Sequence, residues 1–359
     1  MTIALRLAEQ GLYSTQPNPR VGCVIVKNQR VIGEGAHLKA GDAHAEVIAL
    51  RQAGADALGA DVYVTLEPCN HYGRTPPCVD ALIAAGVRRV VMAMEDPNPL
   101  VSGRGKLRLQ THGIDVASGL MQQQAFALNA GFIKRMTQAL PYVRCKVAAS
   151  LDGRTALNNG ESQWITGEAA RLDVQSWRAQ SCAILTGIGT VLSDNPRMTV
   201  RVDGVKRQPL RVIVDSRLNT PIDCNMLKTA QQAPVMIAYS IDSNRKLAHF
   251  HTTGVECLHL PNAFGQVDLK SLLQHLAQRG INEVLVEAGQ GLNGAMLEAD
   301  LIDEFIFYYA PKLMGGDAKP MFAFPELKDM GQIKDLKILD LRRIGQDIRL
   351  RAKPLHTRE

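Results

Sequence analysis

The chain reads as two α/β domains in tandem, and three observations lead there. Its 359 residues are 46% hydrophobic, enough for two separate cores. From Arg20 onward, runs rich in β-branched residues alternate with helix-forming stretches. The alternation is interrupted once, over 137–142, where Pro141 closes a helix-like stretch and a new strand begins. Domains are therefore expected over 1–139 and 140–359.

In the first half, 20–27 and Arg30–Ala36 are strands around a polar turn at Asn28-Gln29, which is a hairpin pattern. Residues 43–53 form a helix stopped by Gly54, and 61–66 a strand. A helix over 76–86 has prolines at its start and a glycine at its end. Then come a strand over 88–94, a helix over 102–112, a short strand over 114–117 and one helix over 122–136. These elements make an α/β sandwich built on one sheet.

The second half opens with strand Tyr142–Ser150 and continues with a helix over 167–179, for which Thr166 is the expected N-cap. Strands follow over 183–186 and 210–215, and a helix over 268–279 closed by Gly280. Strands over 281–287 and 305–310 precede a terminal hairpin, 336–343 with 347–351, turning at Gly345.

Composition narrows the function classes. The net charge of +6 is spread along the chain, which suits anionic small molecules as readily as nucleic acid. Seven cysteines show no disulfide-framework spacing, and Met1 to Leu12 carry no secretory signal, so a reducing cytoplasm is expected. No apolar run approaches the roughly 18 residues that would span a membrane. No internal repeat or low-complexity tract is present.

Three short pieces carry chemistry: His44-Ala45-Glu46, Pro68-Cys69 and Cys78. They supply one imidazole, two thiols and one free carboxylate. Three protein ligands leave the fourth position of a zinc ion open, which is the catalytic arrangement. The pieces resemble the H-x-E and P-C-x-x-C pattern of zinc deaminases, in which the Glu moves protons and is not a ligand. Here Asn70 to Pro77 separate the cysteines, a longer spacing. Residues two apart on a helix are turned by about 200°, so His44 and Glu46 are expected in a first turn rather than mid-helix. Cys78 is expected at a helix start, where a thiolate is favoured. Two other readings stay open: a structural zinc site with His71 as fourth ligand, and buried thiols unrelated to metal.

Around this site, prolines flank Asn18, so its amide can meet a ring edge; a plain turn residue is the alternative. Arg74, between the cysteines, can meet a phosphate. Gly289-Gln290-Gly291-Leu292-Asn293-Gly294 fits G-x-G-x-x-G between a strand and a helix, where a backbone can approach a phosphate. No acidic residue stands at a strand end about 20 positions on, so an NAD-type Rossmann domain is not expected. A glycine-rich structural turn is the alternative. Ser216-Arg217 at a strand end suits the 2'-phosphate of NADPH, with an ordinary surface turn as the other reading.

The residues HAEV (His44 to Val47), TLEPCNHYGRTPPC (Thr65 to Cys78) and EDPNPLVSGRG (Glu95 to Gly105) closely resemble the bifunctional riboflavin-biosynthesis deaminase/reductase family. So do KVAASLDGRTA (Lys146 to Ala156), ESQWIT (Glu161 to Thr166) and VEAGQGLNGAML (Val286 to Leu297). The resemblance covers nearly the whole chain. It implies a cytidine-deaminase-like α/β/α sandwich followed by a dihydrofolate-reductase-like α/β domain. It implies zinc-dependent loss of an amine from 2,5-diamino-6-(5-phosphoribosylamino)pyrimidin-4(3H)-one, then NADPH-dependent reduction of the ribosyl group to ribityl.

Carried over residue by residue, it implies zinc on His44, Cys69 and Cys78 and the proton shuttle on Glu46. It places Asn18 and His37 on the pyrimidine and Arg74 near the phosphoribosyl group. Cofactor contacts fall on Ala148, Trp164, Thr190, Asp194 and Ser216, and on the turn from Gly289 through Gly294 to Ala295. Substrate contacts fall on Ser162, Arg178, Met198, Arg201 and Glu287. Arg178 and Arg201 suit a ribose 5-phosphate. Glu287 suits a developing iminium and Lys146 the sugar hydroxyls. A phosphoribosylaminopyrimidine is thus the expected small-molecule partner, with no nucleic acid, no membrane, and a homo-oligomer, dimer or tetramer. Two competing readings fit less well. A nucleic-acid deaminase calls for aromatics interleaved with a basic stripe, but aromatics are 5% of the chain. A zinc-stabilised interaction protein leaves Glu46 without a role.

Overall fold

A computed structural model describes residues 1–72, 76–98, 101–205, 207–243 and 245–355. The chain forms two compact units, Met1–Leu140 and Pro141–Glu359.

In the first unit, α1 (Thr2–Glu9) precedes the hairpin β1 (Gly22–Lys27) and β2 (Arg30–Ala36). Asn28 and Gln29 both have positive φ, 50° and 63°, the backbone that a two-residue hairpin turn demands. Helix α2 (Ala45–Ala53), β3 (Asp61–Val64), α3 (Cys78–Ala84), β4 (Arg89–Met92), α4 (Arg104–Thr111) and β5 (Asp115–Ser118) follow. The sheet order is β2-β1-β3-β4-β5. β1 runs antiparallel to β2 and β3, and β3, β4 and β5 are parallel. Its core is aliphatic, with Ile25, Leu82, Met92 and Leu109 wholly buried.

Two glycines set α2 against this sheet. Gly33 and Gly35 share one face of β2, and a Cβ on them would lie 2.2 Å from the Ala49 carbonyl oxygen and 2.0 Å from that of Ala45. The helix therefore lies flush on the strand, and its first turn is held at a fixed height.

The single helix expected over 122–136 is instead two, α5 (Gln122–Leu128) and α6 (Ala130–Gln138). Asn129 breaks it, at φ −117°. Its Oδ1 accepts the Arg20 N–H at 2.8 Å and its Nδ2 donates to the Arg20 carbonyl at 2.9 Å. The side-chain amide takes the place of a backbone pair, a stronger local demand than continuing the helix.

The second unit contains β6 (Tyr142–Ser150), β7 (Arg154–Ala156), α7 (Glu168–Gln180), β8 (Ala183–Gly187), α8 (Ile188–Asp194), β9 (Leu210–Val214), α9 (Asn225–Lys228), β10 (Val235–Tyr239), α10 (Leu247–Thr252) and β11 (Glu256–His259). It is completed by α11 (Leu269–Gln278), β12 (Glu283–Val286), α12 (Gln290–Glu298), β13 (Glu304–Ala310), β14 (Lys319–Pro320), β15 (Leu336–Ile344) and β16 (Asp347–Pro354). The large sheet runs β11-β10-β9-β8-β12-β6-β13-β16-β15. From β11 to β13 it is parallel; β16 and β15 add an antiparallel edge. The chain steps from β6 to β8 over the slot that β12 later fills. Open α/β sheets gather ligands at such a crossover, beyond the carboxyl ends of the strands.

Two local expectations do not hold. Thr166 does not cap α7; Gly167 does, and its N–H donates to Asp347 Oδ2 at 2.7 Å. The glycine motif is not a loop ahead of a helix, because α12 already begins at Gln290 with Gly289 as its cap. All seven cysteines are free thiols. No helix among the described residues is long and apolar enough to cross a membrane.

Candidate active sites

In the first unit, His44 caps α2 in extended backbone (φ −73°, ψ 160°), and Glu46 sits in the first turn behind it. This resolves the geometric problem of two side chains only two positions apart. Cys69 follows the end of β3, and Cys78 opens α3 directly after Pro77. His44 Nδ1 lies 3.1 Å from Cys78 Sγ and 3.5 Å from Cys69 Sγ. The three donor atoms fall within 4.8 Å of one another. The backbone N–H of Cys78 donates to Cys69 Sγ at 3.3 Å, so the helix start favours negative charge there. The hydrogen bond with Cys78, reinforced by His44, draws the Cys69 thiol down to about 4; the same bond and burial push Cys78 up.

This donor set fits zinc. Tetrahedral zinc with ordinary bond lengths places N and S donors roughly 3.6 Å apart. His44, Cys69 and Cys78 would hold the ion. His71 lines the same cavity but lies outside the donor cluster, against the closed structural site. Glu46 is 3% exposed, and burial with the Cys69 sulfur beside it raises its carboxyl to about 7.

His44, Glu46, Cys69 and His71 wall a cavity of about 440 Å³. Asn18 and His37 line it together, with Asn18 Nδ2 3.1 Å from His37 Nε2. His37 Nδ1 lies 3.2 Å from the Ala43 carbonyl. A ring that donates from Nδ1 and accepts at Nε2 is neutral, and burial lowers the His37 pKa accordingly. Arg74 lies outside the described residues.

In the second unit, a cavity of about 1070 Å³ opens at the carboxyl ends of β6, β8, β9 and β12. Gly289, Gln290 and Gly291 present the start of α12 to it. Ser216, just past β9, lines it too, its Oγ accepting the Val267 N–H at 3.2 Å. Trp164 is exposed, with the Arg171 guanidinium 4.7 Å from its ring centre. Ser162 Oγ donates to Asp194 Oδ1 at 3.4 Å. A cavity of this size, with a glycine-led helix start for a phosphate, fits a dinucleotide such as NADPH.

At the cavity's inner wall Glu287, on the end of β12, is gripped by Arg178 through Nε–Oε1 at 2.6 Å and Nη2–Oε2 at 2.9 Å. Lys146 Nζ stands 4.0 Å from Glu287 Oε2. Burial alone pushes Glu287 up, but Arg178 and then Lys146 overcome it and hold the carboxyl below its usual range. Burial lowers the Lys146 pKa.

The comparisons with known proteins cover both units. Residues 141–350 match the RibD C-terminal domain. Residues 1–94 match the cytidine and deoxycytidylate deaminase zinc-binding region. The riboflavin biosynthesis protein RibD of Escherichia coli (strain K12) is 48% identical over 97% of this chain and 96% of its own length. The chain belongs to the RibD family. The RibD of Bacillus amyloliquefaciens is 45% identical over 99% of this chain and 95% of its own. Among solved structures, Acinetobacter baumannii RibD, form 1, superposes with a TM-score of 0.92 at 49% identity, covering 99% of this chain and 98% of that one. A diaminohydroxyphosphoribosylaminopyrimidine deaminase/5-amino-6-(5-phosphoribosylamino)uracil reductase from Thermotoga maritima gives 0.88 at 33% identity, covering 99% and 97%. Membership fixes the fold: a cytidine-deaminase-like unit and a dihydrofolate-reductase-like RibD C-terminal unit.

Against this RibD framework, the larger cavity gathers Lys146, Ala148, Ser162, Trp164, Arg178, Thr190, Asp194, Met198, Arg201, Ser216, Glu287, Gly289, Gln290, Gly291, Leu292 and Ala295. It does not gather Asn293 or Gly294. Asn293 is fully buried, with Nδ2 donating to the Ala288 carbonyl at 3.1 Å. A Cβ on Gly294 would lie 1.8 Å from the Ala323 carbonyl oxygen, so that glycine permits close packing and faces away from the cavity. Arg178 is not the free phosphate partner its charge suggests, because Glu287 already neutralises it. Arg217 is exposed and does not line the cavity. Sequence reasoning gave no role to Asp96, Asn98, Arg171 or Lys319, all of which line a cavity. For Asp96 and Asn98 the signal was present: polar residues alternating with prolines just past a strand.

Proposed function

We propose that the two halves, over 1–139 and 140–359, catalyse consecutive steps of riboflavin biosynthesis, a zinc-dependent deamination and then an NADPH-dependent reduction. The observation that carries this reading is the open set of His44, Cys69 and Cys78 beside a buried, unligated Glu46. The first substrate is 2,5-diamino-6-(5-phosphoribosylamino)pyrimidin-4(3H)-one. Water adds at the ring carbon bearing the 2-amine, that C–N bond breaks, and ammonia leaves a uracil. Zinc held by the three donors supplies a water acidic enough to act at neutral pH. Glu46 takes the proton from the attacking water and delivers it to the departing nitrogen. Asn18, backed by the neutral His37, meets the ring edge.

For the second step, NADPH held in the larger cavity would supply a hydride for the ribosyl C1 in its open-chain, N-protonated iminium form, so that hydride addition completes the ribityl amine. Glu287 faces the carbon–nitrogen centre and favours its protonated, positively charged form, Arg178 fixes that carboxylate in orientation, and Lys146 orients sugar hydroxyls. Arg201 suits the sugar phosphate, its charge not being taken up by Glu287's bidentate grip. The start of α12 and Ser216 suit the cofactor's phosphates.

Both steps separate in one assay. The diaminopyrimidine ribotide is expected to release ammonia without NADPH, and NADPH is expected to be consumed only afterwards. A zinc chelator should abolish the first step while leaving reduction of supplied deaminated product intact. Ammonia release that required NADPH would contradict independent sites.

We also propose that the chain self-associates, as a dimer or tetramer, in the cytoplasm. Among the described residues β15 ends the large sheet, and it exposes Ile338 and Leu341 at 61% and 62%. Alongside the charges of Lys337, Asp340, Arg342 and Arg343, these apolar side chains give the edge a surface that another chain can cover. Charging it, by Ile338→Lys with Leu341→Lys, should yield a monomer in sedimentation equilibrium; a wild-type monomer would refute the proposal. The free thiols throughout the chain suit a reducing compartment.

A further inference from the structure

Glu67 has no part in the chemistry above, yet its carboxylate is 3% exposed and fully engaged. It lies just past β3, two positions before Cys69. Its Oε2 accepts the N–H of Asp96 at 3.0 Å and the N–H of Gly103 at 3.0 Å. Its Oε1 accepts the N–H of Gly105 at 2.9 Å and that of Lys106 at 3.1 Å. Asp96 and Gly103 are the two ends of one loop, so a single oxygen closes it. Gly105 and Lys106 lie in the first turn of α4, where amides have no partner within the helix; the other oxygen satisfies both. The fit is tight, since a Cβ on Gly105 would lie 2.3 Å from the Pro68 carbonyl oxygen.

The loop closed in this way carries Asp96 and Asn98 into the wall of the smaller cavity. Asp96 Oδ1 accepts the Asn98 N–H at 2.8 Å, so the two move as one piece. Only an acceptor with two charged oxygens serves four N–H groups. A glutamine in its place turns an NH₂ donor toward two other donors.

We infer that Glu67 is a positioning residue of the deaminase site, one that closes the loop between β4 and α4 and so sets where Asp96 and Asn98 meet the substrate. Glu67 borders the cavity, but both of its carboxylate oxygens are taken up by those four N–H groups, so it acts on the substrate through the loop. The inference rests on the deaminase reading of this cavity.

The test uses Glu67→Gln in the full chain, with ammonia release from the diaminopyrimidine ribotide as the readout. KM is expected to rise by about tenfold or more with kcat changing less than about threefold, the pattern of lost binding. Zinc content and NADPH oxidation on deaminated product should match wild type. In an Asp96→Ala/Asn98→Ala background, the same substitution should add less than about twofold to KM, because its route of action is gone. An unchanged KM, an equal rise in both backgrounds, or a fall in kcat with loss of zinc would each overturn the inference. The last of these would mean that Glu67 acts through Cys69. Should the variant fail to fold, amide hydrogen exchange on the wild-type chain decides. Protection of the Asp96 and Gly103 N–H groups supports the closed loop, and free exchange overturns it. A wild-type chain that released no ammonia would instead overturn the deaminase reading, a failure seen before any variant is made.

Discussion

Glu46→Gln is expected to lower deamination by about 10²–10⁴-fold, the range lost when a positioned proton carrier is removed. The amide keeps the shape of the side chain and its place in the first turn of α2 but can neither take a proton from water nor return one to nitrogen. The ligands are untouched: His44 caps the helix, and Cys69 and Cys78 sit on other segments. Zinc content should therefore stay near one per chain. Reduction of supplied deaminated product should run at the wild-type rate, which rules out global unfolding as the cause. Ammonia release above a tenth of the wild-type rate would remove Glu46 from the mechanism. Chelator treatment and this substitution should converge on the same silent deaminase with an active reductase, by different routes.

How far the sequence reveals these sites depends on how local each constraint is. The hairpin at Asn28-Gln29, the strand Tyr142–Ser150 and the metal donors were legible because each is written in a short run of residues. The extended spacing between Cys69 and Cys78 even set the family apart. The breaks in expectation come from partners far away in the chain. Asn129 ends a helix because Arg20, 109 positions earlier, needs a backbone partner. Thr166 loses the cap of α7 because Asp347, 180 positions later, reaches Gly167 first. Arg178 lines the cavity, but its pairing with Glu287, 109 positions on, could not be read from the sequence. The glycine motif misled in another way. Its spacing is right for a phosphate turn, but Asn293 and Gly294 are spent on packing α12 against the rest of the unit. Strand β10 was missed despite its signal, a short apolar run after Pro234 that is buried along its whole length.

Glu287 is the position where stability and chemistry meet, and two substitutions should separate them. Glu287→Leu leaves Arg178 and Lys146 buried without their carboxylate. Removing one partner of a buried pair costs about 3–5 kcal/mol. In a unit of this size that corresponds to on the order of 10 °C in Tm. Glu287→Gln keeps one acceptor for Arg178 and should cost less, yet lower NADPH oxidation on deaminated product by about 10²-fold, as removal of one preorganised charge-stabilising group does. Ammonia release should be unaffected in both. The pH dependence gives an independent check. The folded-state pKa of Glu287 lies below its unfolded value, so its contribution is present above the unfolded pKa, about 4.3, and fades as pH falls through the folded one. The wild-type unit should therefore lose stability on acidification more steeply than Glu287→Leu, and the two curves should converge at low pH. Parallel curves would mean that the carboxylate is not the charge that balances Arg178 and Lys146, and near wild-type reduction by Glu287→Gln would take it out of the hydride step.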